Sequence, residues 1–293
     1  MNGKKVLDRL IKLFVVLNLA LFIFNYVSTN NEYLLSGERI EHITQLLEQE
    51  GIHINTELMR DYSPKKSADL QYIGDNISIR DEIVKSFFNK DLASVKRFKK
   101  ESEINPGEEM RYYSLNGETL IFDKYALRYE NESNKLGQVK PTIDGAKRMC
   151  MSLLKRISYG KMSDEYQIEV VEHEHYLTLT YFPKLEDIPI LDAYITFDVY
   201  KQGVASGIMY LGKIELTNEE GKEIYPIDLV LFEIEEYILE NQYTNISGIS
   251  LVYKRAKSED SIWGQQIIPV YKIECDGLEE ALFVNAYNNE ILD

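Results

Sequence analysis

Cysteine, tryptophan and histidine are all scarce in this chain. Its two cysteines, Cys150 and Cys275, stand 125 positions apart and make neither a CxxC pair nor a disulfide framework. Both sit among apolar neighbours, which reads as buried free thiols, with a single bridge between them as the alternative. Of the four histidines, His42 and His53 are isolated and read as surface or satisfied core residues. Only His173-Glu174-His175 has ligand spacing, because residues two apart in a strand share a face. No third ligand stands nearby, so the run reads as a polar turn or strand end. A GxSxG elbow, a P-loop and an HExxH helix are all missing, and no cysteine lies near a histidine base. The expectation is no catalytic, cofactor-binding or metal-binding residue. With 48 carboxylates, acid pairs arise by chance and carry no glycosidase signal.

Positive charge is also in short supply. Lysine and arginine number 33, leaving a net charge of −15. Lys4, Lys5, Arg9 and Lys12 against Asp8 put +3 on residues 1–30, so the rest of the chain carries −18. Such a surface repels nucleic acid, and no nucleic-acid partner is expected.

Long hydrophobic runs are absent but for one. Thirteen of the fifteen residues from Leu13 to Val27 are apolar, and with Leu10 and Ile11 the stretch covers eighteen residues. As a helix that is about 27 Å, close to the roughly 30 Å of a bilayer core. The four cations precede it, so the positive-inside rule holds residues 1–12 in the cytoplasm and sends everything after Thr29 outside. Tyr26-Val27-Ser28-Thr29-Asn30 offers no alanine for cleavage, which favours a single-pass anchor over a signal peptide. Ile11, Phe14, Asn18, Leu21, Phe22 and Asn25 line one side of this helix. An asparagine amide facing lipid is costly, so Asn18 near the bilayer centre predicts a contact with a partner membrane helix; Asn25 can reach the headgroups.

Beyond the anchor the chain alternates helices with strands. Ser36 caps a helix carrying Ile40, Ile43, Leu46 and Leu47, ended by Gly51. Extended segments at Ile52–Met59 and Asp69–Gly74 precede a helix from Ser78 through Ile83, Val84, Phe87 and Phe88, with Ser78-x-x-Asp81 as an approximate capping box. Asn116-Gly117 marks a hairpin between Arg111–Leu115 and Thr119–Asp123. Tyr129–Lys140 is polar and closes at Pro141, which reads as a linker. Thr142 then caps a helix through Ile157. Strands follow at Tyr166–Glu172, Tyr176–Phe182, Tyr194–Tyr200 and Ile208–Leu216. The last helix begins at Pro226, as a first helical residue, and runs to Asn241 before Ile249–Tyr253, Ile267–Cys275 and Ala281–Asn285. The reading is α+β, with helices packed on antiparallel sheet: residues 1–30 as cytoplasmic tip and anchor, and 31–138 and 139–293 as two extracytoplasmic domains. The twenty-one tyrosines fill strand faces or line an interface. Trp263, in a polar loop, is the one candidate for an exposed binding aromatic.

The ensemble resembles the YycH/YycI family, closest to its YycI branch. The matching features are the short anchor, the helix Glu38–Glu50 with Gly51-Ile52 after it, and Tyr112-Tyr113-x-x-Asn116-Gly117. The sharpest is the ending, where Ile268-Pro269-Val270-Tyr271-Lys272-Ile273 precedes Phe283-Val284-Asn285-Ala286. The family then usually has Thr-Gly-Glu, whereas this chain has Tyr287-Asn288-Asn289-Glu290; asparagine tolerates the positive φ that glycine supplies there. The resemblance implies no enzymatic activity and no cofactor. It implies an accessory regulator in the cell membrane that contacts a WalK-like sensor histidine kinase and a YycH-like second accessory protein. The helix-plus-meander ending also resembles PepSY domains. On that alternative the chain is an envelope-binding protein that holds peptide or glycan, or restrains a wall hydrolase.

Overall fold

The computed structural model describes residues 12–19, 21–22, 32–72, 76–101, 109–135, 139–157, 166–217, 220–256 and 265–292. Residues 12–19 and 21–22 are helical. The first elements after them are α1 (Gly37–Gln49), β1 (His53–Ile54), β2 (Ala68–Tyr72), α2 (Ile77–Phe88), β3 (Lys96–Glu101), β4 (Glu109–Leu115), β5 (Glu118–Phe122), β6 (Leu127–Glu130) and α3 (Ile143–Ile157). Then come β7 (Tyr166–Glu172), β8 (Leu177–Leu185), β9 (Ile188–Pro189), β10 (Ile195–Tyr200), β11 (Gly203–Met209), β12 (Gly212–Leu216), α4 (Ile227–Glu240), β13 (Asn245–Arg255), β14 (Gln265–Cys275), β15 (Leu282–Asn285) and β16 (Ile291–Leu292). Helices packed on antiparallel sheet make this a mixed α+β fold.

Local chemistry explains several element ends. Ser36 accepts the Arg39 backbone N–H at 3.3 Å, and Gly51 takes φ +84° beyond the helix it ends. At α2 the cap is Asn76 rather than Ser78: its Oδ1 accepts the Ile79 N–H at 3.2 Å. Asparagine competes as well as serine for this role, and being two residues earlier it captures the turn. Thr142 Oγ1 accepts from Gly145 N–H at 3.2 Å and opens α3. Pro226 stands one residue outside α4, in extended conformation, instead of inside its first turn. Asn116 and Gly117 both have positive φ, the geometry of a two-residue hairpin. Asn289 also sits at φ +63° in the turn joining β15 to β16.

By its contacts the chain divides into two units: residues up to Lys65 with Gly221–Ser250 and Tyr271–Asp293, and Lys66–Glu220 with Leu251–Val270. This division is not the one expected near residue 138. Leu127–Glu130, read from the sequence partly as linker, is a strand paired on both sides, to β5 through Leu120↔Tyr129 and to β11 through Ile208↔Arg128. One sheet thus crosses the expected boundary. Tyr129 is 2% exposed, so the alternation Leu127, Arg128, Tyr129, Glu130 is a half-buried strand disguised by its polar half.

In the first unit, α1 packs against α4, and Arg39 meets Asp228 through two guanidinium N–H donors at 2.8 and 2.9 Å. Asp228 is 9% exposed, so this pairing is what allows a carboxylate inside the helix pair. Beside them β1 pairs in parallel with the start of β13, and β15 pairs with β16.

The second unit holds a nine-stranded antiparallel sheet ordered β3-β4-β5-β6-β11-β10-β8-β7, with β9 on β8. α2 and α3 cover one face. Ile83, Val84 and Phe87 from α2 and Cys150, Leu153 and Leu154 from α3 pack on Leu120, Tyr129, Leu179 and Phe197 of the sheet. A clamp joins helix to strand: Arg156 donates to both Glu118 carboxylate oxygens at 2.8 and 2.7 Å, Tyr129 OH donates to the same carboxylate at 2.9 Å, and the guanidinium lies 4.0 Å over the Phe87 ring. Burial works to raise the Glu118 pKa, but the Arg156 and Tyr129 hydrogen bonds and the Arg156 charge together hold it below its ordinary value of 4.5.

A carboxyl depressed on folding adds stability above its unfolded pKa, and that stability is lost as pH falls through the folded value. Glu118→Gln should therefore lower stability by about 1.5–3 kcal/mol near neutral pH, as for hydrogen bonds to a charged group. In denaturant titrations the gap from wild type should narrow progressively as the pH falls below the ordinary value of 4.5. Cys150 and Cys275 are both free and buried, and burial pushes the Cys150 thiol up to about 12 and raises that of Cys275. A thiol-specific disulfide reagent at about pH 8 should label neither cysteine in the folded protein and both after unfolding.

Candidate functional site

On the face of the nine-stranded sheet away from α2 and α3, pairing aligns polar side chains that are distant in sequence. Asp198 on β10 lies opposite Thr178 of β8 and Ser206 of β11. Thr178 Oγ1 donates to Asp198 Oδ1 at 2.8 Å, and Ser206 Oγ donates to Oδ2 at 2.7 Å. With its own hydrogen committed, Thr178 Oγ1 accepts from His173 Nε2, 3.0 Å away. Two residues along, on the same face, the Thr180 and Thr196 hydroxyls meet at 3.2 Å. The result is a hydrogen-bonded row across three strands, held on a half-buried surface where each partner satisfies the next.

Next to Asp198 a cleft of about 190 Å³ opens between β6, β10 and β11, walled by Arg128, Glu130, Thr196, Asp198 and Ser206. Gly207 at its floor is required by packing: a Cβ there would come within 2.4 Å of the Phe197 ring, which fills the core beneath. Arg128 reaches Asp123 at 3.5 Å, and its buried Nε has no hydrogen-bond partner. The Arg128 guanidinium and the Glu130 and Asp198 carboxylates around one cleft suit a small polar or zwitterionic group. The row is not arranged as a nucleophile relay. Ser206 gives its proton to a carboxylate, and His173 touches Thr178, not Ser206.

The His173-Glu174-His175 run forms the turn between β7 and β8, where His173 N–H donates to the Tyr176 carbonyl at 3.0 Å. Its two histidines do different things. His173 stacks on Tyr176 at 4.2 Å, which stacks in turn on Tyr200 at 5.0 Å, while His175 Nε2 stands 3.7 Å from Glu174. Among the described residues no group of three His, Cys, Asp or Glu side chains is placed to hold a metal ion. Tyrosines gather at the end of the sheet, where Tyr72, Tyr125, Tyr194 and Tyr210 meet ring to ring. Burial pushes the Tyr72 and Tyr194 phenols up to about 12.

Of the residues expected on the anchor's contact side, Ile11 and Asn25 lie outside the described residues, as does Trp263. Phe14, Leu21 and Phe22 are 67%, 51% and 69% exposed. Asn18 Nδ2 donates to the Phe14 carbonyl at 3.0 Å, one turn back on its own helix. That bond uses one of the two amide hydrogens. Among the described residues no helix is long and apolar enough to cross a membrane; the expected span, 10–27, extends beyond them on both sides.

No protein-family model matches this chain, and no curated protein sequence matches it. Among solved structures, an uncharacterized protein from Eubacterium rectale ATCC 33656 superposes with a TM-score of 0.52 at 11% identity, covering 83% of this chain and 89% of that one. The Bacillus megaterium YpeB C-terminal domain gives a TM-score of 0.39 at 10% identity, over 76% of this chain and 99% of that domain. The first is a likeness of fold alone.

Because His173 and His175 take separate partners, equilibrium dialysis against zinc should give the same metal content for wild type and the H173A/H175A double variant. Zinc bound stoichiometrically and lost only in the variant would show that the turn rearranges into a site.

Proposed function

We propose that this chain is a non-enzymatic, membrane-anchored regulator of a sensor histidine kinase, similar to YycI, acting through helix contacts in the bilayer alongside a YycH-like accessory protein. The observation that carries the reading is the N-terminal helical surface. Every described side chain from Lys12 to Phe22 is exposed, Leu13 at 66% and Val16 at 63% among them. Apolar area left in water costs about 25 cal/mol per Å², so a helix apolar all round calls for lipid or another helix as its surroundings. Asn18 supplies the polar contact that such a helix needs to choose a partner. The adjoining basic residues orient it with the longer part of the chain outside the cell.

A second reading keeps the anchor as a tether and gives the function to the sheet's open face. The cleft beside Asp198 favours it, as a seat for a peptide or glycan group of the envelope in the manner of a PepSY-like protein.

Asn18→Leu keeps the helix insertable while removing an interhelical hydrogen bond worth about 0.6–2 kcal/mol, or roughly threefold to thirtyfold in association. It should weaken kinase-dependent transcription by that order without lowering the amount of protein in the membrane. Exchanging residues 10–27 for an unrelated membrane helix should abolish the effect. If the exchange is silent while Asp198→Ala is not, the tethered binding protein is the correct description.

A further inference from the structure

Eight strands of the large sheet form one antiparallel series, so its outermost strands, β3 and β7, run in opposite directions. Among the described residues no strand pairs with the outer side of either. Their chemistry is opposite too. β3 reads Lys96-Arg97-Phe98-Lys99-Lys100-Glu101 with all six residues exposed, four of them cations in a chain of net charge −15. β7 carries Glu169 and Glu172 with Val171, 55% exposed, between them. Phe98, 45% exposed, stacks on Tyr112 at 4.6 Å with Lys100 above both rings, so the β3 edge is preformed.

We propose that β3 of one copy pairs with β7 of a second copy, head to tail, continuing the sheet from chain to chain. Strand direction and sheet face both permit it. A second copy set down with its helices on the same side presents β7 antiparallel to β3. The sheet's own register places Phe98 in one row with Tyr112, Ile121, Arg128, Ile208, Thr196, Thr180 and Glu169, all on the face away from α2 and α3. Face-matched pairing therefore sets Lys96, Phe98 and Lys100 against Gln167, Glu169 and Val171. When Phe98 lies opposite Val171, Lys100 falls opposite Glu169, and on the helix side Arg97 falls opposite Glu172. Every one of these pairs is complementary, apolar with apolar or cation with anion. Glu172 already accepts Lys140 and retains lone pairs for Arg97, while Lys99 stays with Glu109 of its own chain. Lysine on an edge strand ordinarily keeps edges apart. Here it forbids β3 from meeting β3, as the glutamates forbid β7 from meeting β7, and only the mixed pairing survives. Such an interface is heterologous and propagates unless a rotation closes it.

The test is sedimentation of the full chain in detergent micelles at low and high salt. The wild type should gain mass with concentration, less so at high salt. Lys100→Glu and Glu169→Lys should each weaken self-association about two- to tenfold, the difference between an attractive and a repulsive cross-strand pair. Circular dichroism melts of both variants should match the wild type, since both positions lie on exposed edges. Mixing the two variants should restore association, because the glutamate introduced on β3 of one variant then meets the lysine introduced on β7 of the other, while the unaltered edges still match. A single-chain mass at every concentration overturns the proposal. So does association that ignores either substitution, or that mixing fails to restore.

Discussion

Strands β8 and β10 of the large sheet carry their core-forming side chains on only one of their two faces. Leu120, Tyr129, Leu179, Phe197 and Val199 point one way, and α2 and α3 cover them. Thr178, Thr180, Thr196, Asp198 and Ser206 point the other way, which no helix with an apolar stripe could cover without stranding hydroxyls and a carboxylate. That asymmetry puts both helices on one side, leaves the polar row half open, and turns neighbouring strands' side chains into partners. The Asp198 network and its cleft are consequences of it.

Charged groups fix positions that apolar packing leaves free to slide. Helix α3 meets the sheet mostly through Cys150, Leu153, Leu154 and Ile157, a stripe that tolerates small shifts along its axis. The fork of Arg156 on Glu118 does not, because two parallel N–H···O bonds and the Tyr129 hydroxyl specify one placement. Arg39 on Asp228 does the same for α1 and α4. Inside a partly buried setting these pairs select a geometry more than they add net stability.

Helix positions were legible because period and caps coincide. Ser36, Thr142 and the Asn116-Gly117 turn stand where the chain's spacing puts them, and Asn289 takes the turn role that glycine has elsewhere. Strands were less so. Lys96–Glu101 has no apolar alternation, since an exposed edge strand has no buried face to write one. The expected single strand Ile208–Leu216 is two: β11 pairs with β6 and β10, while β12 pairs with β2. No local signal announces that change of partner. The polar row was illegible for a related reason, since Thr178, Asp198 and Ser206 are ordinary strand residues until register brings them together.

Composition and patterning by themselves determined the acidic character, the apolar N-terminal stretch, the helix faces and the hairpin turn, all of which depend on residues within a few positions of each other. The tertiary structure decided what depends on distant residues meeting. It assigned Tyr129 to a core instead of a linker, drew the contact division at Lys65 and Gly221 rather than near 138, and set Asp198 between Thr178 and Ser206. Strand pairing is set by the burial of whole faces, and burial is a property of the assembled sheet that no single segment carries.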